Sequence, residues 1–255
     1  MSLQIKNLSG GYFGNPVLKD VNFNIGDGQI VGLIGLNGAG KSTTIKEIIG
    51  LLTPFSGEIS IDGLTIQSDK ISFRKKIGYI PETPSLYEEL TLQEHIELTA
   101  LAYDIPKEIA LKRAKPLLET FRLSDKLDWF PITFSKGMKQ KVMIICAFLT
   151  EPSLYIIDEP FMGLDPLAVS DLTNLMISMK NQGASILMST HILSTAEKFC
   201  DKFVVLNAGQ VVADGDVSTL REKFSLTDAT LDDIYLYLTK MDSVSQVFEK
   251  TEKAE

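Results

Sequence analysis

The stretch that most restricts this chain is Gly35 to Thr43, GLNGAGKST, which fits G-x-x-x-x-G-K-[ST] with Gly35, Gly40, Lys41 and Ser42 at the defining places. The spacing has a physical cause. A short loop, here Asn37, Gly38, Ala39 and Gly40 running into Thr43, curls its backbone N–H groups around the β- and γ-phosphates of a nucleotide. Glycine tolerates the positive-φ turns and the close approach of backbone to anion that this needs. Lys41 then neutralises phosphate charge, and Ser42 offers its hydroxyl to Mg²⁺. The apolar run Gln29 to Ile34 reads as a strand before the loop, and Thr44 to Ile49 as a helix after it, whose positive end points at the same anion.

The rest of the chain has room for a full core around this loop. It has 255 residues, 44% of them hydrophobic, which suits one large domain or two unequal ones. The longest apolar runs, such as Val142 to Leu149, fall far short of the roughly 20 residues that span a bilayer. The opening MSLQIKNLSG lacks a basic segment followed by an apolar core, so no secretory signal is expected. Cys146 and Cys200 form no C-x-x-C, two histidines are too few for a zinc cluster, and both thiols read as buried and reduced. A net charge of −8 argues against nonspecific attraction to nucleic acid or anionic lipid.

In chain order, Leu3 to Leu8 and Val21 to Ile25 read as strands joined by a loop, SGGYFGNPVLK, that contains Tyr12. Glu58 to Ile61 reads as a short strand turning at Asp62-Gly63, and Lys76 to Ile80 as another running into the loop Pro81 to Pro84. From about Leu86 to Leu149 the pattern becomes helical. Thr91 to Glu94 is a capping box, Lys107 to Phe121 a helix expected to be interrupted near Pro116, and Lys139 to Leu149 a third helix. The α/β pattern then resumes with a strand Leu154 to Ile157, a helix Ala168 to Lys180, a strand Ser185 to Ser189, a helix Leu193 to Cys200, and strands Lys202 to Leu206 and Val211 to Ala213. His95 reads as a helix-surface or packing residue, and the polar tail Met241 to Glu255 as disordered.

Two further elements carry chemistry. The strand LYIIDEP ends in Asp158 and Glu159, placing two carboxylates at the carboxyl edge of a parallel sheet, where α/β folds bind ligands. Asp158 would hold Mg²⁺ through water, and Glu159 would orient or deprotonate the attacking water. His191, just after the strand Ser185 to Ser189, is placed to donate to the γ-phosphate or to hold the water and Glu159 in register.

These residues together resemble the ABC-type ATPases, the nucleotide-binding subunits of ATP-binding-cassette transporters, over about residues 2 to 215. The motifs follow in the family's order: an aromatic A-loop at Tyr12, the phosphate loop, a Q-loop position at Glu82, a signature at FSKGM, IIDEP, a D-loop at GLDP (Gly163 to Pro166), and a switch histidine at His191. Within the family, GLIGLNGAGKSTTI, YIPETPSLYEELT, FSKGMKQKVMI, YIIDEPFMGLDPLA and the late LDDIYLYLTK are most similar to the bacterial Ecs exporters.

The resemblance implies an α/β P-loop NTPase core with a mixed sheet, an antiparallel β subdomain and a helical insertion. The core would span residues 2–85 and 151–222, the insertion 86–150, and a C-terminal helical segment with the polar tail 223–255. It implies ATP and Mg²⁺ as cofactors and hydrolysis by Glu159, His191 and Lys41. It implies pairing of two copies head to tail: Tyr12 stacks on adenine, Ser135 and Gly137 meet the γ-phosphate across the interface, and Asp165 links the two sites. Since Glu159, His191 and the signature positions are intact, a homodimer would supply two complete sites. The expected partner is an EcsB-like polytopic membrane subunit at the cytoplasmic face of the membrane, with no nucleic acid. Its docking groove would be bordered by Glu82 and Pro84 to Leu90.

Two positions depart from the family. Glu82 stands where glutamine is usual, so an extra carboxylate would ligate the metal or repel phosphate. The signature reads FSKGM, with Lys136 for a glycine and Met138 for a glutamine. Other readings are an importer subunit, a soluble ABC ATPase, and a guanine-nucleotide switch built on Thr239-Lys240-Met241-Asp242.

Overall fold

The apolar run before the phosphate loop forms strand β3 (Ile30–Gly35), buried at every residue because both faces of its sheet are covered. In the computed structural model, described for residues 2–240, β3 lies inside a six-stranded sheet. The order is β10 (Gln210–Gly215), β9 (Lys202–Asn207), β3, β8 (Ser185–Ser189), β7 (Leu154–Asp158) and β6 (Ile77–Ile80). The ladders from β9 to β6 are parallel, and β10 pairs antiparallel at one edge. Period-two alternation divides these strands between two cores. Ile30, Ile34, Tyr155 and Ile157 join the core shared with the helices, whereas Val31, Leu33, Leu154 and Ile156 face a second sheet.

That second sheet is antiparallel, in the order β2 (Asn15–Ile25), β1 (Leu3–Tyr12), β4 (Ser56–Ile61) and β5 (Leu64–Thr65). Between the sheets runs α1 (Lys41–Ile48), which buries Ile45 and Ile48. The short α2 (Lys70–Lys75), which precedes β6, was not read from the sequence. Three helices stand between β6 and β7 in the chain: α3 (Leu92–Ala102), α4 (Lys107–Phe121) and α5 (Lys136–Leu149). After β7 come α6 (Pro166–Asn181), α7 (Leu193–Ala196), α8 (Val217–Phe224) and a helical stretch over residues 231–240.

Several local expectations change. Tyr12 is not in a loop: β1 and β2 form a hairpin in which Tyr12 pairs with Asn15 across Phe13 and Gly14, both at positive φ (51° and 82°). Gly10 and Gly11 sit at register shifts within β1, and Pro16 lies on the edge strand β2, so neither breaks the pairing. The α4 helix runs unbroken through Pro116, whose position is exposed to solvent. The α5 helix starts earlier than Lys139, because the Ser135 side chain caps it by accepting from the Met138 amide. The helix after His191 is confined to α7. The capping box at Thr91 and Glu94 is present with both of its bonds. His95 is buried rather than on the surface, with Nε2 accepting from the Tyr87 amide and Nδ1 at the Thr91 carbonyl. The tail from Met241 lies outside the described residues.

Candidate functional site

The carboxyl ends of β3, β8, β7 and β6 lie side by side, so the loops after them meet at one edge of the sheet. There they enclose a cavity of about 430 Å³. Tyr12, Asn37, Gly38, Gly40 and Lys41 to Thr43 line it together with Glu82, Asp158, Glu159 and His191. Gly38 and Gly40 adopt φ of 81° and 110°, while a Cβ at Gly35 would lie 2.2 Å from the Leu206 carbonyl oxygen. The loop therefore needs glycine for turning and for close packing at different positions. The Ala39 amide donates to the Leu36 carbonyl, and Ala39 and Gly35 do not reach the cavity.

The Lys41 ammonium is nearly buried and donates to the carbonyls of Gly35 (2.7 Å) and Leu36 (3.2 Å). Burial lowers its pKa, and Glu159 and Asp158 oppose that shift. Asp158 is 8% exposed and accepts from the Ser189 hydroxyl. Burial raises its pKa, the Ser189 bond opposes this, and the charge of Glu82 raises it further. Glu159 sits at φ 47°, a strained backbone for a residue other than glycine, with its amide directed at the carbonyl and hydroxyl of Ser189. Its Oε2 accepts from the His191 amide at 3.0 Å. His191 Nε2 is 3.3 Å from Oε1 but outside hydrogen-bonding geometry, so this buried oxygen has no hydrogen-bond partner. Burial raises the Glu159 pKa and His191 lowers it. The result is a carboxylate with one fixed oxygen and one acceptor left for a proton.

No group of three or more His, Cys, Asp or Glu side chains among the described residues is arranged to hold a metal ion unaided. The donors at the cavity, Ser42, Asp158 and Glu82, are hard oxygens. That set fits Mg²⁺ bound jointly with nucleotide phosphates and not a closed protein cage.

Ser135, Gly137 and Asp165 stand apart from this cavity. Ser135 is exposed at the start of α5, and a Cβ on Gly137 would lie 2.5 Å from the Gly163 carbonyl oxygen. Lys136 lays its methylenes over Gly163, and Met138 packs against the core. Asp165 caps α6 by accepting from the Ala168 amide and pairs with Lys141 at 3.0 Å, and these contacts lower its pKa. Val17 and Ser189 escaped the sequence reading. Val17 lines the cavity beside Tyr12, with no periodic signal to mark it. Ser189 had a signal, a small polar residue ending an apolar strand, but its register opposite Asp158 needed the sheet.

Residues 18–162 match the family described as ABC transporter. The chain belongs to that family. Among relatives of this ABC ATPase, the ABC-type transporter ATP-binding protein EcsA of Bacillus subtilis (strain 168) is 61% identical over 94% of this chain and 98% of that protein. The Nod factor export ATP-binding protein I of Rhizobium meliloti (strain 1021) is 34% identical over 84% of this chain and 64% of that protein. A solved ATP-binding subunit of an ABC transporter shares 55% identity and a TM-score of 0.91, over 94% of this chain and 100% of that chain. A dimeric ATP-binding cassette in a post-hydrolysis state with ADP and Pi gives a TM-score of 0.76 at 28% identity, over 84% of this chain and 98% of that chain. The ABC ATPase reading of the sequence is thus correct in fold and in reaction, ATP hydrolysis by an ATP-binding transporter subunit. The guanine-nucleotide switch falls away.

Proposed function

We propose that this subunit drives export as a head-to-tail homodimer docked at the cytoplasmic face of the membrane on an EcsB-like polytopic subunit. One observation carries the pairing. The phosphate loop, Asp158, Glu159 and His191 line one cavity, whereas Ser135 and Gly137 are held elsewhere on the same chain. A second copy is what brings a signature to each cavity. The presence of a Nod factor export protein among the relatives favours export over import.

In this reading Tyr12 stacks on adenine and the Gly38 to Thr43 backbone cradles the phosphates. Lys41 exchanges its bonds to the Gly35 and Leu36 carbonyls for phosphate oxygens. Ser42 and Asp158, with Glu82 lining the same cavity, would hold Mg²⁺, whose chemistry there would be neutralisation of phosphate charge. Glu159 takes the proton of the attacking water on its unpartnered Oε1, and His191 keeps that carboxylate in place through its amide. Asp165, already fixed by Ala168 and Lys141, stands ready to reach the partner copy.

In Glu159→Gln, ATP binding should persist while turnover falls by at least about 10²-fold. In that background ATP with Mg²⁺ should raise the dimer fraction seen by light scattering, and Ser135→Arg should remove the shift. A dimer equally populated without ATP, or one that survives the arginine, would refute the head-to-tail arrangement.

A further inference from the structure

The α1 helix carries Lys41 and Ser42 at its start and, further along, two side chains that meet β1. Lys46 places its ammonium 3.3 Å from the Tyr12 hydroxyl. Glu47 meets Gly10, two residues earlier on the same strand: a Cβ at Gly10 would lie 1.7 Å from Glu47 Oε1 and 2.5 Å from Cδ. The carboxyl therefore fills the space a side chain at position 10 would take. Glu47 is 3% exposed, and neither carboxyl oxygen has a hydrogen-bond partner. A buried polar group without partners is costly and calls for an explanation.

We propose that Glu47 is a positioning residue for nucleotide binding, its carboxyl acting as the spacer that sets where β1 holds Tyr12 over the phosphate loop. This rests on Tyr12 as the adenine platform. The spacer works uncharged. Desolvation alone pushes the carboxyl up to about 7 from 4.5. Of the charged and titratable groups on the elements packed around it, Lys46 turns to Tyr12 and Arg74 of α2 donates to the Gly50 carbonyl. Glu58 of β4 is exposed, and Lys70 of α2 stands on the wall of a cavity of about 250 Å³ that Glu47 borders. None of them bonds to Glu47. Ionisation is relieved when the side chain leaves Gly10 for that cavity, and β1 then loses its spacer. Because the folded-state pKa lies above the unfolded one, the fold loses stability as pH rises from about 4.5 to about 7.

The readout is the ratio of affinities for ATP and inorganic tripolyphosphate, which share terminal phosphates but not adenine. Gly10→Ala should lower that ratio by about tenfold with tripolyphosphate affinity held within about twofold, and adding Glu47→Ala should restore most of the loss. Between pH 6 and 8 the wild-type ratio and melting temperature should fall relative to those of Glu47→Gln, whose ratio stays flat. Should Gly10→Ala fail to fold, recovery of folded protein in the double variant and the Glu47→Gln profile decide the matter. Equal losses for both ligands, no rescue, or identical pH profiles would overturn the proposal. Tyr12→Ala separates the two readings: an unchanged ratio there refutes the adenine platform, while rescue of the melting temperature still reports on the spacer.

Discussion

Ser189 shows how one residue organises the two carboxylates at the cavity, Asp158 and Glu159. Its hydroxyl donates to Asp158 and stands 3.2 Å from the Glu159 amide, and it is fully buried. Ser189→Ala would leave Asp158 buried without that donor, an expected cost of about 1–3 kcal/mol. We expect a lower melting temperature and ATP turnover reduced by about tenfold, with ADP affinity less affected. Turnover equal to wild type would mean that Asp158 is held by its backbone alone. The motif residues around it were readable one by one because each pattern is local in sequence. The Ser189 contact was not, since it bridges residues 31 positions apart.

Elements differ in how far their limits follow from local chemistry. The α3 start was legible because Thr91 and Glu94 satisfy each other's backbone amides across one turn. The α4 interruption was misread because a proline costs a helix one hydrogen bond but does not break it when packing holds both halves. Ala114, Leu117, Leu118 and Phe121 lie in the core on either side of Pro116. Pro116→Ala restores the missing donor, so stability should rise by about 1–3 kcal/mol, seen as a melting temperature several degrees higher. No change would show that the proline's limit on the unfolded chain offsets the lost bond.

In the whole molecule, no helix among the described residues is long and apolar enough to cross a membrane. In the segment proposed for docking, Leu86 packs against the core, so it is an unsuitable probe. Tyr87 is 62% exposed, and its amide is fixed by His95 Nε2 at 3.0 Å. Docking anchors are large side chains presented on a rigid backbone, and Tyr87 meets both conditions. Tyr87→Ala should keep the melting temperature and the ATP turnover of the free subunit while losing co-purification with the membrane subunit. Undiminished association would move the docking site elsewhere.

The amino-acid sequence by itself determined the phosphate loop, the acidic strand end, the motif order and the α/β pattern with its helical insertion. Each of these rests on interactions within a few residues or on the period of the apolar positions. The tertiary structure alone decided the rest. It closed Tyr12 into a hairpin through pairing with Asn15, set Ser189 against Asp158, and wedged Glu47 against Gly10. It also kept Ser135 and Gly137 away from the cavity of their own chain. These depend on contacts between distant segments, whose geometry follows from how the two sheets pack around α1 and not from any local pattern.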